Sequence, residues 1–178
     1  MATESIWDVD AAHSSAEFSI RHMMITSVKG HFSSIAGTVT GDPDDLTTAR
    51  VHLDIDLSTV DTRNTDRDNH LRSADFFDVE QFPTMTFESR SIERTGSSTY
   101  RVVGDLTIHG VTKPVTVDVS SEGQGKDPWG GTRAGFSGTT TINRKDFGLM
   151  WNVALEAGGV MVGDQVKVSV DLETVQRA

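Results

Sequence analysis

The stretch Val51-His52-Leu53-Asp54-Ile55-Asp56-Leu57 decides the fold. Every odd position is apolar and every even one is polar. A period of two is the mark of a β-strand with one dry face and one wet face. Val166-Lys167-Val168-Ser169-Val170-Asp171-Leu172-Glu173 repeats the pattern, and so does Val115-Thr116-Val117-Asp118-Val119. One-sided strands belong to antiparallel sheets, because parallel sheets are normally buried on both faces.

Working outward, eight such segments lie near 14–24, 29–40, 47–58, 84–94, 99–110, 114–122, 132–143 and 163–174. A short strand near 6–10 precedes them. The breaks carry turn residues: Gly41-Asp42-Pro43-Asp44, Thr95-Gly96-Ser97-Ser98, His109-Gly110-Val111 and the run Gly123 to Gly131. Short strands in hairpin succession give an up-and-down meander. Eight strands make a sandwich or a closed barrel, and only the barrel removes its edges. At eight strands a barrel's interior fits side chains or one small ligand.

One stretch breaks the period. Residues 65–73 do not alternate and contain helix formers. Thr62 or Asn64 is placed to cap a helix there, Asp66 and Asp68 fall in its first turn, and Arg72 near its end. That charge order complements the helix dipole. Pro83 then marks the entry to the next strand.

Composition excludes several classes. The 178 residues carry a net charge of −10, which disfavours nucleic acid and anionic membrane surfaces. With no Cys there are no disulfides, thiolate metal sites or thiol nucleophiles. No apolar run is long enough for a transmembrane helix. The start, Met1-Ala2-Thr3-Glu4-Ser5-Ile6-Trp7-Asp8, shows no basic or apolar leader region, so a cytoplasmic location is expected. The whole chain, 1–178, is expected to form one barrel domain.

Parity assigns the strand faces. Phe18, Ile20, Leu53, Ile55, Met85, Phe87, Leu106, Ile108, Phe136, Ile142, Val168 and Val170 are among the residues predicted to point inward. Val28 and Phe32 are out of phase with Ile35 and Val39. A bulge near Ser33-Ser34 restores all four to the inside. Such an interior is either a packed core or an apolar cavity; parity fits both.

For chemistry, His52 and His109 read as exposed, and His31 points outward. His70 lies on the helix. His22 alone shares the face of Phe18 and Ile20. The spacing of His13, His22 and His31 matches no metal signature. No serine-nucleophile motif, phosphate loop or pair of inward carboxylates occurs, so catalysis is not expected. Arg144-Lys145 is a cationic pair at a strand end, suited to an anionic head group at a rim or to a solvated turn.

Ordered motifs then point to a family. They are Asp10-Ala11-Ala12-His13-Ser14 with Phe18 and His22, Val28-Lys29-Gly30-His31-Phe32, and Asn64 through Asp68. They continue with His70-Leu71-Arg72-Ser73-Ala74-Asp75-Phe76-Phe77-Asp78, Phe82-Pro83 and Phe87. Gly104-Asp105-Leu106-Thr107-Ile108-His109-Gly110-Val111-Thr112-Lys113-Pro114-Val115 and Asn143-Arg144-Lys145-Asp146-Phe147-Gly148-Leu149 complete the set. With these the chain resembles the YceI-like family of lipocalin-like, polyisoprenoid-binding barrels. The resemblance implies an eight-stranded antiparallel barrel with a helix over one end. It also implies a long isoprenoid ligand, such as a polyprenyl pyrophosphate or a quinone tail. Members are often periplasmic, and here the absence of a leader keeps the cytoplasmic expectation.

The expected role is a carrier or sequestering protein. Its cavity would be lined by Phe18, Ile20, Phe32, Leu53, Ile55, Phe87, Leu106, Ile108, Phe136, Val168 and Val170. His22, Arg144 and Lys145 would supply polar contacts at the mouth. No cofactor is expected, and a homodimer is the oligomer to test. Two other readings stand beside it: a haem or metal barrel using the inward His22, and a solid-core interaction module.

Overall fold

The alternating segments pair into one antiparallel sheet that closes on itself. The computed structural model describes residues 4–156 and 158–178. Residues 1–3, part of the N-terminal reading, lie outside the described residues. The strands are β1 (Ser5–Val9), β2 (Ser15–His22), β3 (Thr26–Phe32), β4 (Ile35–Asp42), β5 (Asp45–Asp56) and β6 (Val60–Asp61). After the helix α1 (Thr65–Arg72) come β7 (Thr84–Arg94), β8 (Thr99–Ile108), β9 (Val111–Lys126), β10 (Thr132–Asn143) and β11 (Val162–Gln176).

Eight staves make the ring. β1 and β2 form one interrupted stave, broken by a 3-10 turn at Ala11–His13, and β3 and β4 form another. The circuit runs β1–β4–β5–β7–β8–β9–β10–β11 and returns to β1. β11 pairs with β10 along one edge, and with β2 and then β1 along the other. The barrel thus closes between its first and last strands, through pairs such as Trp7 with Gln176.

The break at Ser33-Ser34 shapes one wall. Phe32 and Ile35 are both buried, though three residues apart they would face opposite ways in a regular strand. The irregular step turns both inward. Its polar groups are satisfied by the next crossing: Asp56 N donates to the Ser34 carbonyl at 3.0 Å, and Ser34 N donates to Thr59 Oγ1 at 3.3 Å. Beyond the break β4 pairs with β5, while β3 pairs with the short β6 instead.

The helix is polar and eight residues long, too short to persist alone in water. Side chains hold it. Asn64 Oδ1 accepts from Arg67 N at 3.0 Å, so Asn64 is the cap. Thr62, the other capping candidate, is buried; its amide and hydroxyl both donate to Asp68 Oδ1. Arg72 reaches back to the Ser58 and Val60 carbonyls at 2.9 and 3.0 Å.

Three further expectations need correction. β9 runs on to Lys126, because Gly123, at φ 101°, sits opposite a register shift at Gly135/Phe136 as a bulge rather than a turn. The turn lies later, where Asp127 accepts from the Trp129 and Gly131 amides. His109 is half-buried, its ring edge-on to Phe82 with centroids 4.9 Å apart.

Candidate binding cavity

The barrel interior is not solid. Two apolar chambers lie end to end inside it, with volumes of about 390 and 150 Å³. The larger lies under α1. Of the residues expected to line a cavity, Phe18, Ile20, Phe32, Ile108 and Val168 face it. The smaller lies deeper, and Leu53, Ile55, Phe87, Leu106, Phe136, Val168 and Val170 face it. Met85, Ile142 and Val168 line both chambers. The inward side chains therefore meet only over part of the bore, which is not the arrangement of a solid-core module.

A second apolar cluster packs beside the smaller chamber. Trp7 packs there with Val39 and Ala134, all buried, against Ala49, Val51 and Phe136. Trp7 Nε1 donates to Ser5 Oγ at 3.0 Å, so its polar atom is satisfied.

Two glycines give the chambers their width. A Cβ on Gly30 would lie 2.6 Å from Phe18 Cε1 and 2.9 Å from Thr62 Cγ2. A Cβ on Gly104 would lie 2.5 Å from Phe87 Cζ. Each ring occupies the space that a side chain on the neighbouring strand's glycine would need.

The upper end has a roof of rings. Trp151 meets His70 edge-on at 4.6 Å and Phe76 at 5.4 Å, while His70 and Phe76 are 5.0 Å apart. His70 Nε2 is held by Asp75 Oδ2 at 2.9 Å. Arg21, His22, Asp66 and Arg67 complete a polar rim around this end. Arg21 Nη2 donates to the Met24 carbonyl, and Arg67 donates to the Thr62 hydroxyl and carbonyl. Met23, Met24, Ile25, Met150, Val153 and Val160 are exposed in the two loops beside it. Sequence reasoning missed Trp151, Phe76, Phe77 and Leu71 as lining residues. They lie in irregular or helical segments, where strand parity has no meaning.

The cationic pair divides. The sequence offers Arg144 as a ligand contact at the mouth or as part of a solvated turn; it lines the larger chamber, and its burial overturns the solvated turn. It is buried, and its guanidinium donates to the carbonyls of Leu149 (2.6 Å), Gly163 (2.8 Å) and Trp151 (2.9 Å). Burial pulls its pKa below the ordinary arginine value, with Asp164 opposing. Its donors serve the wall, so it lines the larger chamber as a strut. Lys145 is exposed on the outside, 3.4 Å from Asp164, and lines neither chamber. The physical reason is the 3-10 turn Arg144–Phe147, which puts neighbouring residues on different sides of the wall.

The remaining histidines are spread around the barrel. His52 lies outside, held by Asp54 at 2.8 Å and by Glu88, and these carboxylates raise its pKa. His31 sits 3.9 Å from Asp61. His13, Asp10 and Glu173 cluster as closely as a set of metal ligands would, but Arg133 already supplies the cation. Its Nη1 lies 2.7 Å from Asp10 and 3.0 Å from Glu173.

Comparison with known proteins agrees with this geometry. The YceI-like domain model matches residues 7–174. UPF0312 protein SA2479 of Staphylococcus aureus (strain N315) is 44 % identical over 165 residues, covering 92 % of this chain and 94 % of the relative. The crystal structure of BcnA from Burkholderia cenocepacia superposes with a TM-score of 0.79 at 26 % identity, covering 93 % and 98 %. The YCEI protein of Campylobacter jejuni gives 0.75 at 28 %, covering 89 % and 90 %. A polyisoprenoid binding domain from Saccharophagus degradans shares the fold, with a TM-score of 0.70 at 17 % identity over 96 % and 98 % of the two chains. A closed eight-stranded barrel, its apolar bore and a match over nearly the whole chain lead to one assignment: the protein belongs to the YceI-like family.

Proposed function

We propose that the barrel binds the apolar tail of a long isoprenoid lipid and acts as its carrier or sequestering protein, not as an enzyme. The observation that carries this reading is the bore itself: apolar along its length, flanked by the apolar Trp7 cluster toward one end and ringed by polar groups at the α1 end. A lipid with an apolar tail and a polar head matches that asymmetry. The same fold forms a polyisoprenoid binding domain in Saccharophagus degradans, which supports the choice of ligand.

Burying one five-carbon isoprene unit gains about 4 kcal/mol gross at ~0.8 kcal/mol per carbon. Ordering of the tail and loss of motion oppose this. A few buried units therefore suffice for tight binding. The head group would sit among Arg21, His22 and Arg67, not at Lys145.

Native mass spectrometry of protein purified gently from its own host tests the reading. The expected result is a mass increment matching a prenyl lipid. An empty protein that also takes up no prenyl alcohol at micromolar concentration overturns it. An absorption spectrum with a Soret band would instead favour haem at His22.

A further inference from the structure

One level of the barrel divides the bore. β7 and β11 are four places apart whichever way the ring of eight is followed, so Met85 and Val168 project from diametrically opposite staves. Ile142 projects from β10, next to β11, where it pairs with Val166, one inward position from Val168. These three residues line both chambers and pack in one cluster, so they form the septum between them. Met85 is unlike its partners. It is unbranched, with three rotatable bonds, so it can turn aside where Ile and Val cannot.

We propose that Met85 is the gate residue that sets the isoprenoid chain length the protein prefers. The inference rests on the lipid reading above. A dry cavity of ~150 Å³ holds a benzene ring, six carbons. By that scale the larger chamber, at about 390 Å³, takes roughly three isoprene units, and the smaller takes roughly one. Three units fill the upper chamber without disturbing the septum. The fourth enters the lower chamber only by displacing the Met85 thioether. Any further units stay outside, since the two chambers together hold only about four.

The test titrates farnesol (three units) and geranylgeraniol (four units) into the full-length protein by calorimetry. For the wild type, geranylgeraniol is expected to bind within about threefold of farnesol. Met85→Ala removes the gate, and the four-unit preference should rise to tenfold or more. Met85→Phe narrows the passage, and the geranylgeraniol-to-farnesol affinity ratio should fall at least threefold below the wild-type ratio, whatever happens to either affinity alone. Ile142→Phe narrows the same level from the opposite wall and should mimic Met85→Phe, which covers the case of a Met85 variant that folds poorly. A ratio unmoved by all three substitutions overturns the gate and leaves the lipid reading standing. Wild-type protein that binds neither alcohol overturns both.

Discussion

Arg144 Nη1 donates to the Trp151 carbonyl at 2.9 Å, so the roof of the larger chamber hangs from a guanidinium buried in the barrel wall. The same fork holds Leu149 and Gly163. Arg144→Met keeps much of the volume but leaves these carbonyls without donors. At about 1–3 kcal/mol for each buried group left unpaired, partly relieved by water, the loss should be about 3 kcal/mol in urea unfolding. Arg144→Lys should recover little, because an ammonium cannot span the fork. Trp151 fluorescence should shift to the red in both variants.

The glycine beneath Phe18 predicts a linked loss of stability and capacity. Gly30→Ala places a methyl within van der Waals overlap of the ring, with Thr62 behind it. The ring must then swing into the larger chamber. The expected cost is about 2 kcal/mol, as for other overpacked cores. Farnesol affinity should fall at least tenfold, measured by calorimetry. Unchanged affinity with reduced stability would mean that the ring relaxes away from the bore.

Asp68 tethers the helix over the chamber. It is buried, and its Oδ1 takes both Thr62 donors. Asp68→Ala strands an amide and a hydroxyl, with an expected loss of about 2 kcal/mol. Amide hydrogen exchange should accelerate across α1 while β8 and β9 keep their protection. Uniform acceleration would mean that the helix and barrel unfold together.

The clasp of Asp10, His13, Arg133 and Glu173 predicts a stability optimum in mild acid. Arg133 first, then His13, hold Asp10 at a pKa of about 2, below its ordinary 3.8. That contribution is complete above pH 3.8 and is lost as pH falls through about 2. His13 shifts the other way, raised above 6.5 chiefly by its hydrogen bond to Asp10. Its contribution is complete below pH 6.5 and is lost as pH rises through the folded value. The melting temperature should therefore fall on both sides of about pH 4–6.5, and Asp10→Asn should flatten both limbs.

The barrel was legible because strand alternation is local. Residues 51–57 alternate because one face of β5 is dry, and the mismatch between Phe32 and Ile35 marks the break in the sequence itself. The strand-borne cavity residues followed from parity, and His22 from sharing its face. What parity cannot convey is where opposite walls touch. Met85 and Val168 stand far apart in sequence, and nothing local to either signals that both line the two chambers from opposite staves. The burial of Arg144 was hidden for a related reason: a charged residue at a strand end reads as wet unless the carbonyls it will serve are known. Trp151 was missed because a roof built from irregular chain has no period.

The seam between β1 and β11 has a consequence for how the protein is made. Trp7 must wait for Gln176 before the cylinder shuts, a separation close to the full length of the chain. Loop-closure entropy makes such distant pairing slow to reward. A nascent chain still missing β11 offers β10 and β2 as open edges, both able to recruit a foreign strand. The open sheet also leaves the greasy inner face exposed until synthesis has passed residue 176. Productive folding is therefore a race between the ribosome finishing one strand and a neighbouring molecule supplying another.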